Sequence, residues 1–163
     1  MSHVVTAEAI ITIAVVVGAS ALAYAFTAGA SSLTTTYLES QRAESVRVRT
    51  SIKIVFAANS SDTTVEVWVK NVGLTKLGDA LVGQGDLFFG PSGNFTRIPY
   101  YEDGMEPPYW TYVIAEDLDG DGVWDPCETI RITIVLPQPL EPGEYFVKYV
   151  TYNGVSDYTW FSI

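Results

Sequence analysis

The feature that most constrains this chain is an uncharged run of 22 residues near its start, Ala9–Ala30 (AIITIAVVVGASALAYAFTAGA). At about 1.5 Å per residue such a run makes a helix of roughly 33 Å, which matches a bilayer hydrocarbon core of about 30 Å. Lipid offers the backbone no hydrogen-bond partner, so a spanning segment of this kind must satisfy itself as a helix. A secretory signal would carry a basic leading region and a shorter apolar stretch of about 7–15 residues. Met1–Ala7 (MSHVVTA) holds no Lys or Arg, so a retained helix over residues 1–30 is expected. Gly18, Ala21, Ala25 and Gly29 are small enough to let a second helix approach, either in lipid or in the core of a filament. Glu8 stands at the head of the run, where a carboxylate favours a helix N-terminus. His3 reads as a solvated terminal residue. Leu33, Tyr37 and Leu38 keep Ser31–Ser45 helical enough to serve as a stalk or linker over 31–45.

From residue 46 the apolar period changes from helical to alternating. Val46 and Val48 alternate with Arg47 and Arg49, Val65, Val67 and Val69 with Glu66 and Trp68, and Ile130, Ile132 and Ile134 with Arg131 and Thr133. Further strands are expected at Ile52–Ala57, Asp86–Phe89, Tyr109–Ala115, Tyr145–Thr151 and Tyr158–Ile163, separated by turn signals such as Gly90-Pro91-Ser92-Gly93 and Asn153-Gly154. Asn-Gly between two aromatic-rich strands marks a hairpin. The pattern predicts a mainly β chain, in which a long hydrophobic helix precedes an antiparallel immunoglobulin-like β-sandwich over 46–163. Trp68, Tyr149 and Tyr152 are candidate outward aromatics for an interface.

Charge and composition narrow the function. The formal net charge is −10, with 19 acids against 9 bases, which excludes a nucleic-acid partner because phosphates must be met by Lys and Arg. One cysteine excludes an intrachain disulfide and a four-thiolate zinc site. One histidine, placed before the apolar run, leaves Cys127 without a partner for nucleophilic catalysis, so no enzyme is expected.

The acids are concentrated. Asp117-Leu118-Asp119-Gly120-Asp121-Gly122-Val123-Trp124-Asp125-Pro126-Cys127-Glu128 matches the twelve-residue D-x-D-x-D-G-x-x-D-x-x-E loop that wraps calcium. Asp117, Asp119 and Asp121 would give hard oxygen donors, Val123 its carbonyl, Asp125 a direct or water-mediated contact, and Glu128 a bidentate closure. The flanks read as strands rather than as a helix pair, so a structural calcium ion is expected instead of a sensor. Two sequons, Asn59-Ser60-Ser61 and Asn94-Phe95-Thr96, offer glycosylation sites at Asn59 and Asn94.

Arg42, Arg47, Arg49 and Lys53 all follow the span, and charge bias alone would place the large part in the cytoplasm. The sequons and a loop suited to millimolar calcium point the other way, to a domain outside the cell.

A charge-free helix headed by Glu8 and followed by a β-sandwich resembles the archaeal type IV pilin-like and archaellin superfamily. Within it, Thr6–Ala14 (TAEAIITIA), Val67–Gly73 (VWVKNVG), Asp86–Gly90 (DLFFG), Glu128-Thr129-Ile130 and Gly143-Glu144-Tyr145 are similar to the FlaG group of archaellum proteins. That resemblance implies a single-pass protein of the cytoplasmic membrane, a stator-like element that assembles with itself and with the related protein FlaF, which contacts the surface layer. Filament subunits of that superfamily carry a basic residue and a glycine or alanine at a prepilin-peptidase site before the apolar run, whereas Met1–Ala7 has no Lys, Arg or Gly, a departure from them. A subunit of a pilus or archaellum filament is the alternative, and a calcium-dependent carbohydrate-binding sandwich a third.

Overall fold

A computed structural model describes residues 2–163, with the side chains of residues 2–6, 32–36 and 43 outside that description; the readings of His3 and Leu33 therefore lie outside the described residues. The chain forms two units, Met1–Glu44 and Ser45–Ile163.

Helix α1 runs Ser2–Arg49. Thr12, Ser20 and Thr27 return their hydroxyls to carbonyls one turn back (Glu8 O 2.8 Å, Val16 O 2.7 Å, Ala23 O 2.9 Å), which lets polar residues sit in an apolar helix without unsatisfied donors. Within it, Ala7–Ser31 is long and apolar enough to cross a membrane. The expected strand at Val46–Arg49 is corrected: these residues close α1, since an alternating Val-Arg tetrad also fits a last helical turn with its bases near the C-terminal dipole. Thr50 then stops the helix, its hydroxyl on Val46 O at 2.8 Å.

The second unit is a sandwich of two four-stranded antiparallel sheets. One sheet orders β1 (Ile52–Ser61), β2 (Thr64–Asn71), β6 (Thr129–Val135) and β5 (Tyr109–Glu116) side by side. The other orders β4 (Thr96–Ile98), β3 (Asp86–Pro91), β7 (Glu144–Val150) and β8 (Ser156–Ser162). In chain order this is the ABED and CFG pairing of an immunoglobulin domain with one added strand, β4, beside the third. Val65 faces Ile134, Val67 faces Ile132 and Val69 faces Ile130, all fully buried. Each such side chain contributes about 1.5–3 kcal/mol on leaving water. The expected strands at 86–89, 109–115, 145–151 and 158–163 are present within a residue or two, and the Asn153-Gly154 hairpin joins β7 to β8. The short β4 and helix α2 (Asp79–Gly83) had no expectation.

Four aromatic rings meet in the centre. Trp110 meets Tyr149 edge-on at 5.8 Å and Tyr100 at 4.7 Å, and Trp124 lies 6.5 Å from Tyr149. Tyr149 is thus core and not interface; its hydroxyl donates to Val82 O of α2 at 3.0 Å. Trp68 is half-buried on the outer face and Tyr152 is exposed. At the turn before β7, the Tyr145 hydroxyl accepts from Glu141 N at 3.1 Å and donates to Glu141 O at 3.0 Å, the corner that fixes this crossover in immunoglobulin-like sandwiches.

Candidate functional site

The twelve residues Asp117–Glu128 fill the connection between β5 and β6 and nothing more. Their backbone needs left-handed turns: Gly120 (φ 75) and Gly122 (φ 72) supply two without a Cβ, and Cys127 (φ 73) accepts a third. Aspartates hold the intervening amides. Asp117 accepts from Gly120 N at 2.7 Å and Gly122 N at 3.1 Å, Asp119 from Asp121 N at 3.3 Å, and Asp121 from Val123 N at 2.8 Å. Glu128, only 1% exposed, accepts from Leu118 N at 2.7 Å and Asp125 N at 2.9 Å, so its carboxylate reaches back under the whole loop.

The folded loop brings together every carboxylate singled out from the sequence. Oxygens of Asp117, Asp119 and Glu128 lie within 4.8 Å of one another, as do those of Asp119, Asp121 and Asp125. Lys76 is the cation that reaches them, pairing with Asp125 and lying 3.7 Å from Asp121; the Asp125 carboxylate beside it holds its ammonium above the ordinary lysine range.

The loop is anchored from one side. Leu77 and Trp124 exchange backbone hydrogen bonds at 3.0 and 2.9 Å, and the buried Trp124 indole donates to Glu128 O at 3.0 Å. Asn71, fully buried, accepts at its backbone O from Cys127 N at 2.8 Å and donates its own N–H to Glu128 O at 2.9 Å. Its amide side chain reaches Thr75 O at 2.8 Å and Trp124 O at 3.3 Å. Sequence reasoning missed these anchors, because Asn71-Val72-Gly73 carries a turn signal and nothing in it points to the acidic loop.

Along α1 the four small residues Gly18, Ala21, Ala25 and Gly29 are all exposed and recur at spacings of 3, 4 and 4, which puts them on one face. A Cβ placed on Gly18 or Gly29 meets nothing within 4 Å, so within this chain neither glycine is required by packing. Glu8 is exposed at the head of the run. Both sequon asparagines are exposed, Asn59 in β1 opposite Val65 and Asn94 in the β3–β4 turn. Beside Asn94, Phe95, Phe146 and Trp160 form an outer aromatic cluster with ring separations of 4.7 and 4.8 Å. A second pair, Phe56 and Trp68 at 5.4 Å, lies on the outer face of the other sheet.

Residues 2–161 match the model of the archaeal-type flagellin family. An uncharacterized protein of Archaeoglobus fulgidus is 30% identical over 167 residues, covering 99% of each chain. Among solved structures, the chain is similar to the archaellum periplasmic stator protein FlaG of Sulfolobus acidocaldarius, with 28% identity and a TM-score of 0.58 over 69% of this chain and 99% of that one. It is also similar to a chain of the stator complex of FlaF and FlaG from the same organism, with 28% identity and a TM-score of 0.57 over 68% of this chain and 87% of that one.

Proposed function

The chain belongs to the archaeal-type flagellin family and is a structural, FlaG-like component of the archaellum; from that membership we propose that it acts as a membrane-anchored stator element and not as an enzyme. The observation that carries this reading is the sandwich shared with the FlaG stator, together with a span of 25 residues, Ala7–Ser31, that can hold the domain at a membrane. A stator must resist torque, which requires a rigid domain fixed to the envelope and contacts to its neighbours. The domain would stand outside the cytoplasmic membrane, with Asn59 and Asn94 open to glycosylation.

Three surfaces support assembly. The face of Gly18, Ala21, Ala25 and Gly29 suits close packing of sibling helices in the membrane. The exposed rings of Phe95 and Trp160, packed over the buried Phe146, and of Phe56, packed on the half-buried Trp68, are aromatics of the kind enriched at an interface core. One would serve self-association and the other a FlaF-type partner linked to the surface layer. Relatives that work as structural parts of the archaellum support a mechanical role over a catalytic one.

Shearing the native cells tests the reading. The chain should stay with the membrane pellet and purify with a FlaF-type protein. A sheared filament fraction rich in this chain would refute the anchored stator and establish the filament-subunit alternative.

A further inference from the structure

We propose that the loop Asp117–Glu128 binds one calcium ion, which locks the β5–β6 connection against the Asn71–Leu77 segment. The inference goes beyond the archaellum reading and stands on the loop alone. Its first ground is the meeting of two carboxylate triads on a shared residue, Asp119, with five carboxylates in one loop. Its second, independent ground is Asp125. This residue is 9% exposed, and its Oδ1 is wholly inside the protein without a hydrogen-bond partner. Lys76 pairs with the other oxygen, Oδ2, from the solvent side. A desolvated carboxylate oxygen with no donor is costly, and one oxygen of this carboxylate lies within 4.8 Å of oxygens of Asp119 and Asp121, where a shared cation would offset that cost.

The ligand chemistry selects the ion. All donors are oxygens, five of them carboxylates, with the Val123 carbonyl at the seventh loop position as the neutral sixth. Glu128 is held by two backbone N–H groups through different oxygens, so its carboxylate is oriented in advance for a two-oxygen contact. Calcium accepts six to eight oxygens in loose geometry, whereas magnesium demands a near-perfect octahedron and keeps its waters. Lys76 brings a single charge from the solvent side, is itself 59% exposed, and can swing away.

No helices flank the loop, so the ion would not open a groove. It would tie two strand ends to the segment carrying Asn71 and Leu77, through the bonds from Leu77 to Trp124 and from Asn71 to Cys127.

The test is isothermal titration of the full chain in nonionic detergent with calcium chloride alone and, separately, magnesium chloride, with melting followed in parallel. One calcium per chain is expected, with a Kd at or below about 1 mM, the range of extracellular calcium modules, and a raised melting temperature. Asp119→Asn keeps the turn acceptor but removes a charge common to both triads. It should weaken calcium binding at least tenfold and leave the ion-free melting temperature unchanged or raised, since one like charge leaves the cluster. Lys76→Gln should strengthen binding by removing a competing charge. No calcium response well above about 1 mM, an equal response to magnesium, or unaltered binding by Asp119→Asn would each overturn the proposal. None of these results bears on whether the chain serves the archaellum.

Discussion

Replacing Asn71 with alanine tests how the loop end of the sandwich is held. Its side chain makes three hydrogen bonds: Nδ2 donates to Thr75 O at 2.8 Å and Trp124 O at 3.3 Å, and Oδ1 accepts from Gly73 N at 3.0 Å. A buried hydrogen bond contributes about 1 kcal/mol net, and an orphaned partner costs more, so Asn71→Ala should destabilise the domain by about 2–4 kcal/mol. The unit Ser45–Ile163 has 119 residues. At about 2.1 cal/mol/K per residue its unfolding entropy is near 250 cal/mol/K, so each kcal/mol moves the melting temperature by about 4 °C. The expected drop is therefore about 8–16 °C, read by circular dichroism on the full chain in nonionic detergent. Asn71→Leu separates bonding from packing, because leucine fills a similar volume and bonds to nothing. It should melt as low as the alanine variant. A leucine variant within about 3 °C of the parent would refute the reasoning, since shape and not polarity would then hold the site.

Three more outcomes follow from other contacts. Tyr145→Phe removes both bonds to Glu141 and should cost about 1–3 kcal/mol in a denaturant midpoint, with an unchanged m-value. Asp157 accepts from Ile54 N at 2.8 Å and pairs with Lys53 at 3.2 Å, so Asp157→Ala should cost about 1.5–3 kcal/mol and speed exchange of the Ile54 amide hydrogen; unchanged exchange there would count against a pinned β1. Burial pushes the Tyr149 phenol well above its ordinary value of 10.0. The folded chain then keeps a proton that the unfolded chain loses, so the contribution of Tyr149 is full below pH ~10 and falls by about 1.4 kcal/mol per pH unit above it, and burial raises Tyr100 and Tyr112 in the same direction. Denaturant midpoints taken from pH ~8 upward check the slope, and Tyr149→Phe should lessen it by that one residue's share, leaving the part carried by Tyr100 and Tyr112.

The sandwich was legible in the sequence wherever one face of a strand is dry and the other wet. Val65, Val67 and Val69 declare β2 because Glu66 and Lys70 sit between them. The same rule, applied to β7, would have placed Tyr149 inside with Val147, since Lys148 takes the opposite face. The enrichment of aromatics at interfaces invited an outward reading, and only the fold supplies Val82 O as a buried acceptor for its hydroxyl. The end of α1 was illegible for a different reason. Four residues of alternating Val and Arg satisfy a strand and a helical turn equally, and Thr50 and the Gly73 turn decide. A Cβ on Gly73 would lie 2.4 Å from Ser51 N and 2.7 Å from Arg49 O, so the backbone that leaves the helix can pass this turn so closely because that residue has no side chain. In the acidic loop the carboxylate spacing was fully readable, whereas Asn71, Lys76 and Leu77 were not. They lie some forty to fifty positions upstream, and only the pairing of β2 with β6 brings them to the loop.

The ladder between β1 and β2 determines how a tug on the anchor is borne. The chain enters the sandwich at Ile52, opposite Asn71, and β1 runs from there to its hairpin at Ser61 and Thr64. Tension entering at Ile52 and leaving through the far end would act lengthwise, so the eight paired positions would be sheared together. Failure then requires many rungs to break together. A domain loaded this way yields abruptly at high force instead of peeling open rung by rung.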